Sequence, residues 1–218
     1  MRLSPRPDLA TMHHCMPQPK FIVLDGPEGC GKSTQSRLLL ERLTKAGEKA
    51  ISVRDPGTTP IGEQIRSLLL NPANGEMNMR CEMLLYMAAR AQMMSQIILP
   101  ALTSGQTVIC DRFVSSTLAY QLGGDGLTAE EIRKTASIAI HDRWPDLTII
   151  LDLPVDKAMS RINRQKDRIE QRSREYHEQV RKNYLAQAAA DPKHYRVIAA
   201  DRSQDVVHAD IWKEISNL

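Results

Sequence analysis

The sequence lacks several features that mark specialised classes of protein. Its 218 residues contain no uninterrupted apolar run longer than seven residues, Met83 to Ala89, so we expect no membrane span. With 42% hydrophobic and 25% charged residues, the composition is near the globular average, which excludes a disordered chain. The 29 basic and 26 acidic residues give a net charge of only +3, too balanced for a chain that coats nucleic acid. We therefore expect no membrane and no nucleic acid polymer among the partners.

Paired cysteines and an N-terminal apolar stretch are also missing. The cysteines at positions 15, 30, 81 and 110 form no Cys-x-x-Cys pair and have no histidine pair at zinc-ligand spacing beside them. Reduced thiols in a cytoplasmic protein are expected from this pattern. Residues 1–19 contain four prolines and no apolar core of a signal peptide. The sequence predicts a flexible N-terminal extension over residues 1–19 and one domain over residues 20–218.

From Lys20 onward, short apolar segments alternate with helix-length periodic segments. This alternation is typical of βα units that wrap into a parallel sheet. All five predicted strands are rich in Ile, Val and Leu, which predicts burial on both faces. The predicted strands are Phe21 to Asp25, Ala50 to Arg54, Thr107 to Asp111, Leu147 to Leu151 and Tyr195 to Ala199.

The longest predicted helix spans about Met79 to Leu102, and Pro100 should kink or end it. Its methionine stripe includes Met83, Met87 and Met94. Such a stripe is read as helix core or as a surface that contacts a partner helix, and the two readings do not exclude each other.

Charge is uneven in one region, Lys157 to Lys182, where nine basic residues stand against four acidic ones. This local excess of +5 favours either a basic lid, which we place at about residues 157–172, or a solvated helical face with ordinary ion pairs.

The strongest motif follows the first predicted strand directly and matches the pattern G-x-x-x-x-G-K-[ST], with a helix-forming segment behind it. Its residues are Gly26, Pro27, Glu28, Gly29, Cys30, Gly31, Lys32 and Ser33, followed by Thr34. In such a loop, backbone N–H groups at a helix N-terminus bind polyphosphate, and the glycines permit that backbone path. Lys32 can reach the β- and γ-phosphates, and the Ser33 hydroxyl can bind Mg²⁺. The loop predicts a site for a nucleoside triphosphate.

The rest of the chain favours a kinase whose acceptor is itself a phosphate. No Asn-Lys-x-Asp segment for guanine is present, so a GTPase switch is disfavoured. Arg54 and Arg112 lie at the C-terminal ends of predicted parallel strands, the edge where ligands bind, and can neutralise a second anion. Asp111 ends a hydrophobic strand and can hold Mg²⁺ as a Walker B acid does. Another nucleotide or nucleoside kinase, or a P-loop ATPase or regulator, is also compatible with these residues.

At these residues the sequence resembles the bacterial form of the thymidylate (dTMP) kinase family, over roughly Lys20 to Ile215. The resemblance rests on motifs that occur in a family-specific order. They are the loop from Gly26 to Thr34, the segment Arg54-Asp55-Pro56-Gly57-Thr58-Thr59-Pro60-Ile61-Gly62, Tyr86 with Arg90, Asp111-Arg112-Phe113, Ser116-Thr117-Leu118-Ala119-Tyr120-Gln121, and Asp167-Arg168-Ile169-Glu170.

The resemblance implies a P-loop NTPase fold with a five-stranded parallel sheet of order 2-3-1-4-5, flanked by helices and covered by a basic lid. It implies transfer of the ATP γ-phosphoryl group to dTMP, giving dTDP for dTTP synthesis, with Mg²⁺ as cofactor. It also implies a homodimer packed through helices.

The resemblance also implies roles for individual residues. Arg54 and Arg112 would hold the dTMP phosphate, and Glu28 would approach the sugar 3′-hydroxyl or the phosphoryl site. Tyr86 would stack on thymine, and Arg90 would donate to a base carbonyl. Thr117 and Gln121 would contact the polar edge of the base, and Tyr120 would crowd the sugar 2′ position and exclude ribonucleotides. The lid would supply catalytic arginines. Among the candidates Arg161, Arg164 and Arg168 we select Arg164 and Arg168.

Overall fold

Five parallel strands form one sheet in the computed structural model, which describes residues 19–218. The strands are β1 (Phe21–Asp25), β2 (Ala50–Arg54), β3 (Thr107–Asp111), β4 (Leu147–Asp152) and β5 (Tyr195–Ala199). Their order is β2-β3-β1-β4-β5, and all neighbours are parallel. The predicted fold class and strand order are confirmed. The predicted N-terminal extension lies outside the described residues, apart from Pro19.

Helices connect the strands and cover both faces of the sheet. They are α1 (Lys32–Lys45), α2 (Pro60–Leu70), α3 (Met79–Met93), α4 (Leu99–Thr103), α5 (Val114–Tyr120), α6 (Ala129–Ile140), α7 (Val155–Ser160), α8 (Arg174–Ala190) and α9 (Gln204–Ser216), with 3₁₀ turns at Pro72–Asn74 and Gly124–Gly126 and a π-helix at Met94–Ile98. No helix within residues 19–218 combines the length and the apolar character that crossing a bilayer requires.

Strand burial depends on position in the sheet. Every residue of β1 and β3 is buried, whereas β2 and β5 each bury only one residue of five. The prediction that all five strands are buried on both faces is therefore wrong for β2 and β5. Both lie at the edges of the sheet, where the helical layers cover the strands only partly.

The inner strands divide their side chains between the two faces of the sheet, as the two-residue period of a strand requires. Phe21 and Val23 pack with side chains of α3 and α6 on one face. Leu24 packs with Leu39 of α1 and Ile211 of α9 on the other face. The sheet is thus held between two helical layers.

The longest predicted helix is interrupted before its proline. The α3 helix ends at Met93, the π-helix follows, and Pro100 lies in the first turn of α4. Pro100 has no backbone N–H to donate, and the wider π turn precedes it. Met83, Met87 and Met94 are buried within this chain. The core interpretation of the methionine stripe is confirmed, and the partner-helix interpretation is wrong.

Candidate active site

The C-terminal ends of β1, β2 and β3 open into one cavity of about 350 Å³. It is lined by most of the predicted site residues, namely Glu28, Gly29, Gly31, Lys32, Ser33, Thr34, Arg54, Tyr86, Arg90, Asp111, Arg112, Thr117, Tyr120, Gln121 and Arg164. Four predicted residues lie outside the lining: Gly26, Pro27, Cys30 and Arg168.

The loop between β1 and α1 has a backbone path that needs glycine. Gly26 and Gly29 have φ angles of 135° and 71°. A Cβ atom at Gly29 would lie 2.4 Å from the carbonyl oxygen of Ala158, and one at Gly26 would lie 2.5 Å from that of Leu151. Gly31 precedes α1 without a side-chain cap, so no side chain competes with a ligand for the first N–H groups of the helix.

Lys32 lies inside the curve of this loop. Its Nζ donates to the carbonyl oxygens of Gly26 at 3.1 Å and Pro27 at 2.7 Å. Cys30 is buried beside it, and burial raises the pKa of the Cys30 thiol. A neutral thiol is a small packing group, so the charge that the loop offers to a phosphate is that of the ammonium.

Ser33 and Asp111 place two oxygen ligands together at the cavity. The Ser33 hydroxyl donates to Asp111 Oδ2 at 2.6 Å, and both residues line the cavity. Hard cations such as Mg²⁺ prefer oxygen ligands, and Mg²⁺ is commonly bound by one or two protein groups together with substrate phosphates and water. Within residues 19–218 no cluster of three or more His, Cys, Asp or Glu side chains could enclose a metal by itself. The pair therefore fits a metal that is shared with a nucleotide.

Arg112 faces the loop from the end of β3. Its guanidinium pairs with Glu28 and donates to the carbonyl oxygen of Gly26 at 3.2 Å. Burial would raise the pKa of the Glu28 carboxyl, but the positive charges of Arg112 and Lys32 outweigh it and hold that pKa below its usual value. Arg112 has a φ of 70°, a left-handed backbone that is uncommon for a long side chain.

A buried carboxylate supports Arg112 from behind. Asp25 is fully buried and accepts hydrogen bonds from Ser115 at 2.5 Å, Ser116 at 2.8 Å and the Tyr184 hydroxyl at 2.6 Å. Ser116 and Tyr184 also accept from Arg112, at 3.1 and 3.2 Å. The guanidinium is thus fixed by groups that are themselves fixed, which limits its freedom before any ligand binds.

Arg54 lines the same cavity and is more exposed than Arg112. Its guanidinium pairs with Glu63 at 3.0 Å, and half of the side chain is exposed. Arg66, one turn along α2 from Glu63, also lines the cavity and donates to the carbonyl oxygen of Pro56 at 3.1 Å. Burial lowers the pKa of Arg66, and the charge of Arg54 adds to this effect.

Arg90 is held rigidly in a buried wall of the cavity. Its Nε lies 2.7 Å from Asp55 Oδ2, and both side chains are about 1% exposed. The same guanidinium donates to the carbonyl oxygen of Phe113 at 3.1 Å and to the Thr117 hydroxyl at 3.3 Å. Tyr86 lies one helical turn before Arg90, and both side chains line the cavity.

Gln121 and Tyr120 complete this wall from the end of α5. The Gln121 Nε2 donates to Glu82 Oε1 at 2.6 Å. The Tyr120 hydroxyl is buried and has no hydrogen-bond partner among the described residues. Burial raises the pKa of Tyr120 well above its usual value, so the phenol stays neutral.

The three arginines of the predicted lid differ in their position relative to the cavity. Between α7 and α8 the chain has no regular structure, and Arg161 and Arg164 of this segment line the cavity. Arg164 pairs with Glu170 at 2.6 Å, and 60% of its side chain is exposed. Arg168 is buried behind the cavity wall, where it donates to the carbonyl oxygen of Leu69 at 2.7 Å and pairs with Glu82 at 2.5 Å. The predicted catalytic role therefore fits the position of Arg164 better than that of Arg168.

Several residues that line or support the site were given no role by reasoning from the sequence. They are Asp25, Asp55, Arg66, Glu82 and Tyr184. Two had a local signal, because Asp25 ends β1 and Asp55 directly follows β2 at the ligand-binding edge. Tyr184 had none, since it reaches the site from a helix that is distant in sequence.

The site contains a glycine loop between a strand and a helix, with Lys32 inside the loop and Ser33 beside Asp111 at the end of β3. This combination defines the class of P-loop nucleotide-binding proteins. A family model described as thymidylate kinase matches residues 24–211. A protein named thymidylate kinase from Pelotomaculum thermopropionicum is 46% identical over 197 residues, which cover 89% of this chain and 91% of that protein. Proteins of the same name from Ectopseudomonas mendocina and Symbiobacterium thermophilum are each 46% identical, with coverage of 88% and 91% of this chain and 92% and 93% of theirs. The chain belongs to the thymidylate kinase family.

Proposed function

We propose that this protein transfers the γ-phosphoryl group of ATP to dTMP and forms dTDP for dTTP synthesis. Family membership supports the reaction. The observation that carries the proposal is one cavity that combines the phosphate-binding loop and Lys32 with a second set of cations and with Tyr86 and Arg90. A nucleotide hydrolase would need only the phosphate-binding loop and Lys32. A kinase with a nucleotide acceptor also needs the second set of cations and side chains such as Tyr86 and Arg90 that can hold a base.

The acceptor phosphate is bound by cations on the strand ends. Transfer between two phosphates brings two anions together, so each needs its own positive groups. Arg112 is fixed by Asp25 and its neighbours, and Arg54 can exchange Glu63 for a phosphate because its pair is exposed. Arg66 adds a third cation at the same edge.

The thymine is held by the wall that contains Arg90. Tyr86 stacks on the base, and the Arg90 guanidinium donates to a base carbonyl. Thr117 and Gln121 face the polar edge of the base. Tyr120 fills the space that a ribose 2′-hydroxyl would need, which excludes ribonucleotides.

The transfer step forms a bond between an acceptor phosphate oxygen and the γ-phosphorus, and breaks the bond from that phosphorus to the oxygen that leaves with ADP. Positioning and positive charge supply most of the catalysis. Lys32 stabilises charge on the donor phosphates, and the lid arginine Arg164 stabilises the transferred group. Arg168, which the sequence analysis also selected, is paired with Glu82 behind the cavity wall and supports that wall instead. Glu28 approaches the sugar 3′-hydroxyl or the phosphoryl site and keeps Arg112 aligned.

Mg²⁺ is the cofactor that we assign to Ser33 and Asp111. When bound, it supplies positive charge that neutralises the donor phosphates. The 2.6 Å contact between the two side chains supports a shared role as hard oxygen ligands. Loss of either oxygen, as in Ser33→Ala or Asp111→Asn, should raise the Mg²⁺ concentration required for half-maximal activity.

We further propose a homodimer in the cytoplasm. Helices α3 and α6 pack against each other, and each leaves a large apolar side chain exposed, Leu84 at 54% and Ile138 at 81%. Burial of such side chains favours association through these helices. Sedimentation of the purified protein tests the dimer.

The function is tested by a coupled assay of ADP formation with ATP and dTMP, compared with dUMP, AMP, CMP and thymidine. We expect dTMP to be strongly preferred over AMP, CMP and thymidine. Preference for another acceptor would indicate a different nucleotide or nucleoside kinase, and acceptor-independent hydrolysis of ATP would indicate an ATPase.

A further inference from the structure

Glu82 is a fully buried carboxylate that the proposed reaction does not use directly. It lies on α3, one helical turn before Tyr86. Three side chains donate to it: Gln121 at 2.6 Å, Arg168 at 2.5 Å and Arg172 at 2.7 Å. We call Glu82, Gln121, Arg168 and Arg172 the Glu82 cluster.

The Glu82 cluster determines which end of the Gln121 amide faces the ligand. A side-chain amide has a donor end and an acceptor end, and its orientation follows from its partners. Glu82 is ion-paired with two arginines, so its carboxylate only accepts hydrogen bonds. Gln121 must therefore turn its NH₂ group to Glu82, which leaves Oε1 as the amide atom that can accept a hydrogen bond from a ligand in the cavity.

This orientation distinguishes one pyrimidine edge from another. Thymine carries an N–H donor at N3, whereas cytosine carries an acceptor at the same position. An amide oxygen pairs with the thymine edge, but a reversed amide would place two donors face to face. A mismatch of this kind leaves a buried polar group unpaired, which is costly.

We propose that Glu82 is a positioning residue that fixes the Gln121 amide with its oxygen toward the base and thereby helps to select thymine over cytosine. This inference rests on the proposed function, because it deepens the description of the same base site. Glu82 acts through Gln121 and does not itself contact the nucleotide.

The Glu82 cluster also joins parts of the fold, so a general loss of stability must be separated from a loss of selection. Arg168 links Glu82 to the end of α2, where it donates to the carbonyl oxygen of Leu69. Arg172 links Glu82 to α8 through the Tyr176 hydroxyl. A change at Arg172 disturbs this packing but leaves the Glu82–Gln121 hydrogen bond in place, which makes Arg172→Met a suitable control.

The test compares the binding of dTMP and dCMP by calorimetry, together with KM and kcat for dTMP, in the parent, Glu82→Gln and Arg172→Met proteins. A glutamine at position 82 can donate or accept, so it no longer fixes the Gln121 amide. We expect the Kd ratio of dCMP to dTMP to fall about tenfold in Glu82→Gln, the worth of about one hydrogen bond. KM for dTMP should rise and kcat should change little. Arg172→Met should keep the ratio within about twofold of the parent, since that hydrogen bond remains.

A double-mutant cycle shows whether Glu82 acts through Gln121. In a Gln121→Ala background, Glu82→Gln should produce no further loss of selection. An equal further loss there would overturn the inference, as would a folded Glu82→Gln protein that discriminates like the parent. A parent protein that binds dTMP no more tightly than dCMP would instead overturn the proposed function together with the inference.

Glu82→Gln could also fail to fold, because two buried arginines would lose their counter-charge. In that case NMR of the parent protein tests whether Glu82 holds the Gln121 amide. Nuclear Overhauser contacts should connect the Gln121 NH₂ protons, assigned by comparison with Gln121→Ala, to the side-chain protons of Glu82. Their absence in an otherwise assigned spectrum would overturn the inference.

Discussion

The buried cavity wall that contains Arg90 and the predicted lid segment that contains Arg164 both use arginine, but in opposite environments. Arg90 in the wall is paired with Asp55, and its side chain is 1% exposed, whereas Arg164 in the lid is paired with Glu170 and is 60% exposed. Separating the two partners of a buried pair leaves uncompensated charges in the interior, which is costly, so the pair holds its side chains in a fixed geometry. An exposed pair contributes little and can exchange its partner for a phosphate. In the proposed reaction, the wall is therefore suited to recognition of the base and the lid to the charge that develops during transfer.

The loop lysine should give the largest effect, because it contacts the donor phosphates directly in our proposal. Lys32→Ala should lower kcat by about a thousandfold or more, in the range seen when a main electrostatic group is removed. The coupled assay measures this loss. Lys45→Ala, in the exposed last turn of the same helix, is the control and should remain close to the parent. A Lys32→Ala protein within tenfold of the parent would contradict the assignment.

Breaking the buried pair should give the next largest effect, and it should appear as a loss of stability. Asp55→Asn leaves the Arg90 guanidinium buried without a counter-charge, which should cost about 3–5 kcal/mol of unfolding free energy. Urea unfolding measures the change. Glu41→Gln, which breaks the exposed Arg37–Glu41 pair, should cost less than about 1 kcal/mol. Equal losses in the two variants would remove the contrast between buried and exposed pairs.

The lid arginine should show the reverse pattern. Arg164→Ala should lower kcat by about a hundredfold through lost transition-state charge, with little change in stability. Kinetics and thermal unfolding of the same preparation give both values. Arg168→Ala should lower the Tm, because its buried partner Glu82 loses an ion pair. Lost stability in Arg164→Ala with unchanged kcat would reverse the roles assigned to these two arginines.

The smallest effect concerns Glu28 and pH. Arg112 and Lys32 hold its pKa below the ordinary value of 4.5 despite burial, so the folded state favours the ionised carboxylate. This contribution to stability is present above pH 4.5 and is lost as the pH falls through the lowered pKa. The stability of the parent relative to Glu28→Gln should thus decline as the pH is lowered from 6 to below 4.5. A difference that is independent of pH would indicate that the carboxylate makes no such contribution.

The parts of the molecule with local signals could be predicted from the sequence. Short motifs predicted the glycine loop and the strand ends at Arg54 and Asp111. The family resemblance predicted the order of the strands. Burial of the edge strands was predicted wrongly from composition, because β2 and β5 are as apolar as strands that lie inside the sheet, although the strand order implied by the resemblance places both at its edges. The partial exposure of a strand therefore follows from its place in the sheet and not from its own residues.

Buried partners were the main omission at the candidate site. Asp25 and Glu82 are single acidic residues in apolar segments, and nothing next to them in the sequence names the partners that stabilise them. Tyr184 reaches Asp25 across 159 positions, and Arg168 reaches Glu82 across 86. Contacts of this range depend on how the helices pack. The resemblance therefore predicted the groups that line the cavity better than the groups that hold them.

The π-helix before Pro100 has a consequence for how the chain tolerates changes in length. A π turn contains about one residue more than an α turn, so deletion of one residue between Met94 and Ile98 would convert this segment to an α-helix. The flanking helices could then keep their contacts with the sheet. Natural length variation in this long connection, and engineered deletions that shorten it, should therefore concentrate at this turn and spare both the cavity and the strands.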